Sequence, residues 1–412
     1  MLMTNTQDGL GMESKRIFGL FLRKGAMTKE QLARLSGLKR TTLNRMMLPL
    51  EESGFIIRAM VGESSGGRKP VVYDVNPQKY YVVGIDISRL YTQIVLTNLK
   101  METLAKYRFD MNQASSPETT LQRIQDWLRT ALQATRGGSV LGIGIGTVGP
   151  LDRRNGIILN PENFAAGGWE NIPLKAIFEE KTGLPVMIDN GANAAVLAET
   201  HYGIGKGVRN VMYLNCGVGI RTGVISSGAV VRTVNDAEDT FAHMVIDVNG
   251  KACRCGNHGC IERYASIHSI REEFITALKK GKTSRIKKPA GQISYLDICQ
   301  AAEENDPLAR QVMQKAAMLM GTGLANFIQL LNPRIVVLSG PLIYSSKLFY
   351  EECVETALKK SYGHKGTHLA FSRGGNFVEN AISVGSAALV VERCFSLSET
   401  YPQGKRPLQS SI

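Results

Sequence analysis

Residues 140–150 read VLGIGIGTVGP, an apolar run that ends on a glycine turn and so predicts a buried strand leading into a ligand-facing loop. Upstream, YYVVGIDI (80–87), TQIVLTNL (92–99) and TLAKYRFDM (103–111) are consecutive short strands, and residues 117–136 form an amphipathic helix. Downstream, VMIDNGANAAVLAET (186–200) runs from strand into helix, and NVMYLNCGVGIRTGVIS (210–226) is strand, glycine turn, strand. Strand sets with crossover helices, occurring twice, predict an α/β protein with two similar lobes. Ligands of such folds sit beyond the carboxyl ends of the strands, where these glycine turns fall.

The first 78 residues are of another kind. In ESKRIFGLFLRK (13–24), Ile17, Leu20 and Phe21 make one helical stripe, which Gly25 ends. Thr28 is an N-cap with Glu30 and Gln31 near the capping-box offset, opening a helix with Leu32 and Leu35 inward. Ser36-Gly37-Leu38 is the turn of a helix-turn-helix. The next helix buries Leu43, Met46, Met47 and Leu50 and presents Lys39, Arg40, Thr41, Thr42, Asn44 and Arg45, side chains suited to base edges and phosphates in a major groove. Pro49 conflicts with that helix and predicts a bend. Residues 55–57 and 71–73 are strands of a wing with Arg68 and Lys69 at its tip, placed for phosphate or the minor groove. The order predicts a winged helix-turn-helix; a small protein-binding helical domain is the alternative.

Composition agrees. The 412 residues are 43% hydrophobic and 21% charged, which excludes a disordered chain and allows a large core. Lysine and arginine number 49 against 36 acidic residues, a net +13, and residues 1–80 hold 13 basic and 7 acidic side chains. A basic end on a less basic body is the footprint of a phosphate-backbone binder. No apolar run approaches ~18 residues, and the first residues lack the order of a signal peptide. Seven cysteines, three within eight positions, point to a metal site in a reducing compartment, hence a cytoplasmic protein. ALKKGKTSRIKKP (277–289) is basic and reads as a solvated interhelical loop; residues 396–412 read as a disordered tail.

From about residue 80 to 395 the chain resembles the ROK group (repressors, open reading frames, kinases). His243-Met244 followed by VNGKACRCGNHGCIERYAS (248–266) carries the resemblance, with GIGIGTVGP, the 159–169 stretch and GLANFIQLLNPRIVVLSG (323–340) in support. The resemblance implies a two-lobed actin/hexokinase-like ATPase fold over residues 79–395. With the winged domain at 1–78, the chain resembles the NagC/Mlc/XylR type of sugar-responsive repressor.

Cys253-x-Cys255-x4-Cys260 with His243 offers three thiolates and an imidazole, a closed tetrahedral set for a structural Zn²⁺. The same four positions bind zinc in the resembling family, where the histidine also shapes the sugar pocket. Free buried cysteines are the alternative, and the family parallel makes nearby His258 a solvent-facing loop residue.

Kinase chemistry needs a carboxylate base and close backbone approach to phosphates. Where the family carries Asp-x-Gly-Gly-Thr, this chain has Asp86-Ile87-Ser88-Arg89-Leu90, and its second phosphate turn, Gly217 to Gly223, gains Arg221. The family's catalytic aspartate falls on Gly191, which cannot accept a proton. Loss of sugar kinase activity follows. Asn163, Asn190, His243 and Glu262 match effector-binding positions, while Thr240 and Gly191 remove two hydroxyl acceptors that Asp239 or Asp189 could replace; loop capping is the alternative for Asn163 and Asn190. The resulting expectation is a zinc-containing repressor of sugar uptake or catabolism genes, binding operator DNA as a homodimer or homotetramer and answering to a sugar or sugar phosphate. An active ROK sugar kinase with an accessory domain, and a regulator controlled by a protein partner, are the alternatives.

Overall fold

In a computed structural model the chain is described for residues 10–61, 70–133, 135, 137–232, 240–362 and 369–395. Arg68, Lys69, Asp239 and the 396–412 tail lie outside the described residues.

The N-terminal domain comprises α1 (Met12–Lys24), β1 (Met27–Thr28), α2 (Lys29–Ser36), α3 (Arg40–Glu52), β2 (Ile56–Val61) and β3 (Val71–Val75). Thr28 and Gln31 form a reciprocal capping box, with Thr28 Oγ1 accepting from the Gln31 N–H at 3.2 Å and Gln31 Oε1 from the Thr28 N–H at 2.8 Å. Gly37, at φ 71°, makes the left-handed turn into α3 that an L side chain would strain. Leu32, Leu43, Met47 and Leu50 are fully buried against Ile17, Phe18 and Phe21. Leu35, expected inward, is exposed. Pro49 does not end α3: the helix runs through it to Glu52, one intrahelical donor short, and the Ser53 N–H and Oγ both donate to the Pro49 carbonyl to close the end. The strands pair antiparallel in the order β1-β3-β2, a winged arrangement of helices and hairpin.

The first lobe of the body runs β4 (Tyr80–Ile87), β5 (Tyr91–Asn98), β6 (Thr103–Asp110), α4 (Pro117–Gln133), β7 (Ser139–Thr147), the small pair β8 (Leu151–Asp152) and β9 (Ile157–Ile158), α5 (Leu174–Thr182), β10 (Val186–Asn190) and α6 (Gly191–His201). The second runs β11 (Val211–Cys216), β12 (Ile220–Ser226), β13 (Ala229–Val230), a 3₁₀ turn at Thr240–His243, α7 (Glu262–Ala265), α8 (Ile267–Lys279), α9 (Tyr295–Glu303), α10 (Pro307–Leu331), β14 (Ile335–Ser339), α11 (Pro341–Ser345), α12 (Lys347–Lys360), β15 (Ala370–Arg373) and α13 (Ala381–Phe395).

The sheets, β10-β7-β4-β5-β6 and β13-β12-β11-β14-β15, share one plan of antiparallel strands on one side and parallel strands on the other. This is the twofold repetition read from the sequence. Helices α6 and α13 pack against each other, α13 on β4 and β7 and α6 on β11 and β12. The strand glycines explain how α13 comes so near: a Cβ at Gly84 or Gly144 would collide with the carbonyls of Ser383 and Ser386. Most of the GIGIG run is therefore packing chemistry, and only its end reaches the ligand cleft. No helix among the described residues is long and apolar enough to cross a membrane. The basic stretch from 279 to 288 is the α8–α9 connection, with Lys288 paired to Asp297 at 2.7 Å.

Candidate functional site: an interlobe cleft beside a thiolate knuckle

The carboxyl ends of β7 and β10, the turn between β11 and β12, the start of α7 and the 3₁₀ turn converge on a cleft of about 220 Å³. Asn190 ends β10 and caps α6, its Oδ1 accepting from the Ala192 N–H at 2.9 Å, so it both caps the helix and lines the cleft. His243 and Glu262 line it as well. Asn163 does not: it is exposed, with φ 64°, and Asn160 and Glu162 of the same loop take the lining positions.

Four lining groups were not assigned to the pocket from sequence: Arg89, Arg221, Arg254 and Glu162. Arg254, the middle residue of Cys-x-Cys, joins the two carboxylates of the cleft, its Nε 2.8 Å from Glu162 Oε2 and its Nη2 2.7 Å from Glu262 Oε1. Glu262 Oε2 also accepts from the Ile220 N–H at 3.2 Å. Arg89 donates from Nε to the Glu162 carbonyl at 2.7 Å. Arg221 donates from Nη1 to the Thr147 carbonyl at 3.4 Å, while its buried Nε has no hydrogen-bond partner.

The kinase-like turns are occupied by side chains. Between Ser88, Arg89, Gly217, Gly219 and Arg221 only about 20 Å³ remains, and a Cβ on Gly219 would lie 2.7 Å from Arg89 Nη1. Asp86 is wholly buried; its Oδ1 accepts from Ser88 Oγ at 2.5 Å, its Oδ2 has no partner, and burial pushes the carboxyl up to about 6. Asp189 is committed elsewhere: Oδ2 pairs with Arg232 Nη1 at 2.7 Å, and Oδ1 accepts from Asn193 Nδ2 at 3.0 Å. It lines none of the cleft, so it does not stand in for a base at Gly191.

His243 Nδ1 lies 3.7 Å from Cys253 Sγ, Cys255 Sγ lies 3.6 Å from Cys260 Sγ, and the four donor atoms fall within 4.8 Å of one another. Metal–sulfur bonds of about 2.3 Å in a tetrahedron put sulfur–sulfur edges near 3.8 Å, so the donor set fits a Zn²⁺-sized tetrahedral ion. Gly256 and Gly259 turn the knuckle at φ 88° and 72°. His258 is exposed and outside the donor set. Cys216, Cys299 and Cys353 are buried, Cys394 is half-buried, and none is disulfide-bonded.

On the other domain, Lys39, Arg40, Thr41, Asn44 and Arg45 are exposed at the N-terminal end of α3, and Thr42 is half-buried. Asn44 Oδ1 is held by Lys29 Nζ at 2.8 Å.

A winged N-terminal domain joined to a two-lobed, hexokinase-like body defines the class of protein. The model of the ROK family matches residues 82–393, and the chain belongs to that family. It is 28% identical over 379 residues to a xylose repressor of Caldicellulosiruptor bescii, covering 90% of this chain and 94% of that one. It is 29% identical over 321 residues to a glucokinase of Thermotoga maritima, covering 76% and 98%. Among solved structures, a ROK family transcriptional regulator described as a homologue of the E. coli MLC protein superposes with a TM-score of 0.77 at 26% identity, over 95% of this chain and 97% of that one.

Proposed function

We propose that the chain is a DNA-binding transcriptional repressor, that its interlobe cleft binds a sugar-type effector, and that it carries out no phosphotransfer. The observation that carries this reading is the conjunction, in one chain, of an exposed polar and basic α3 with a phosphate cradle plugged by Arg89 and Arg221 and a glycine at position 191. The repressor relative matches across nearly the whole chain, whereas the glucokinase relative matches only 76% of it.

The residues of α3, from Lys39 to Arg45, would enter the major groove, with a dimer or tetramer presenting two such helices to two half-sites. Arg68 and Lys69 would add phosphate contacts. His243, Cys253, Cys255 and Cys260 would hold a structural Zn²⁺, which supplies folding energy and fixes the wall of the cleft through His243 and Cys255. Helix α6, capped by Asn190 in the cleft, ends at His201, beside Tyr202, which packs on the core shared with the winged domain. An effector that favours one lobe arrangement would act on the DNA-reading helices through that connection.

Two measurements on the full chain test the reading together. Selection of duplexes from a random pool should recover an inverted repeat, and a coupled ADP-release assay over hexoses and pentoses should stay at background. Turnover of any sugar, or no enrichment of duplex at moderate salt, would overturn it.

A further inference from the structure

A pocket that holds a neutral sugar usually offers carboxylates to accept from hydroxyls. In this cleft both glutamates are already committed to Arg254, and Glu262 also to a backbone N–H. What remains uncommitted is positive. Neither Arg89 nor Arg221 makes an ion pair with a carboxylate among the described residues. Arg221 is only 9% exposed, and its Nε is buried without a partner. Leaving a guanidinium N–H unpaired away from water is costly, and an anion is its natural complement.

We propose that Arg89 and Arg221 form a seat for the anionic group of a monosaccharide effector, a phosphate ester or a sugar carboxylate. This rests on the reading of the cleft as the effector pocket. Both side chains border the 220 Å³ cleft as well as the plugged cradle. Arg89 is held in place by the Glu162 carbonyl, so its fork is already oriented. Burial above all, with the Arg221 and Arg254 charges opposed by Glu262 and Glu162, lowers the Arg89 guanidinium to about 10, so an anion placed beside it would be favoured. Asp86 lies close enough to Arg221 to offset part of its charge, yet its Oδ2 and Arg221 Nε are both left unbonded, so it does not satisfy the arginine.

Size sets the class of anion. Ligand pockets for drug-sized molecules run about 300–1,000 Å³. The 220 Å³ cleft suits one monosaccharide with a charged substituent, and the 20 Å³ left in the cradle excludes a nucleotide triphosphate. Side chains that filled the family's phosphate turns would thus have replaced a cosubstrate site with a charge-reading corner of the sugar site.

Isothermal titration calorimetry on the full chain at fixed ionic strength tests the seat. The probes are glucose, N-acetylglucosamine and xylose, the 6-phosphates of the first two, glucuronate, and inorganic phosphate. At least one anionic probe should bind more tightly than its neutral parent, and the two sources separate according to whether phosphate ester or carboxylate gives the gain. Arg221→Gln and, independently, Arg89→Gln should weaken that probe roughly tenfold to hundredfold, as loss of a charge-assisted contact does, with zinc content and melting temperature reporting that the fold is intact. Neutral sugars binding as well as or better than every anion would overturn the seat while leaving a sugar-responsive repressor standing. If no probe binds and operator binding ignores all of them, the seat and the sugar-responsive reading both fall.

Discussion

Phe395, at the end of α13, packs its ring 4.2 Å from that of Phe18 in α1, centroid to centroid. Phe55 stands edge-on to both, at 5.6 Å from Phe18 and 5.1 Å from Phe395, and stacks on Tyr80 of β4 at 4.1 Å. The Tyr80 hydroxyl donates to the Ser53 carbonyl at 2.7 Å. The winged N-terminal domain and the body therefore share one aromatic core among the described residues. In the proposed repressor this packing is the route by which a lobe movement would reach α3, because well-packed neighbours move together.

Phe395→Ala should consequently cost about 3–5 kcal/mol, the usual range for emptying a fully buried phenylalanine site. Denaturant unfolding measures that loss. The same variant, where still folded, should bind effector with little change but lose the effector's influence on DNA binding. A variant that is fully responsive in gel shifts would show that the signal takes another route.

Arg40→Ala and Arg45→Ala should each weaken operator binding by at least tenfold, with the salt dependence of binding reduced by about one counterion where the lost contact was to phosphate. Zinc content and melting temperature should not move, since both side chains are exposed. Gel shifts identical to wild type for both would exclude α3 as the reading helix.

The elements of this fold were largely legible because the sequence carries strong local signals. The 3.6-residue stripe of α1, the Thr28–Gln31 box and the apolar strands of the lobes all appear where periodicity and capping chemistry put them. The knuckle was legible for the same reason, since His243 and three closely spaced cysteines have few other uses. The cleft was not. Arg254, Glu162, Arg89 and Arg221 come from four separate segments and meet only when both lobes close around them. A one-letter x between two cysteines gives no hint that Arg254 bridges two glutamates. Asn163 sits at a left-handed position of its loop outside the cleft lining, while its neighbours Asn160 and Glu162 border the cleft, a difference of a few residues that loop sequence alone does not resolve.

Wild-type protein should contain one zinc per chain by metal analysis, and Cys255→Ser should hold less than one, with a lower melting temperature. Cys255 and His243 also line the cleft, so effector binding should weaken in step with metal loss. Chelator-treated wild type should reproduce the variant. Full zinc occupancy in Cys255→Ser would mean the donor set is different.

Gly191→Asp restores the residue type that a sugar kinase needs, yet it should not restore turnover. A Cβ there would sit 3.0 Å from Ile382 Cγ2, close enough to require a small shift, and 3.4 Å from Arg221 Nη1. The new carboxylate would pair with that guanidinium and be held ionised, too weak a base to take a hydroxyl proton, and the filled cradle would still exclude ATP. ADP release should remain at background. The double variant with Arg221→Gly tests whether the base or the cradle is limiting; turnover in the single variant would refute the plugged-cradle account.

His201 gives the domain contact a pH dependence. It is buried at the end of α6, and burial together with the Arg23 charge lowers its pKa from 6.5 to about 4. The unfolded chain therefore binds this proton more readily than the folded one between those values. The His201 contribution to stability is flat above about pH 6.5 and turns destabilising as the pH drops toward 4, by up to about 3 kcal/mol across the window. His201→Gln cannot take up that proton, so its melting temperature should decline less than that of wild type between pH 7.5 and 5. Because the residue adjoins Tyr202 and the core beneath the winged domain, acid should also loosen DNA binding in wild type before it unfolds the body. Equal pH slopes in wild type and His201→Gln would assign the acid sensitivity to other groups.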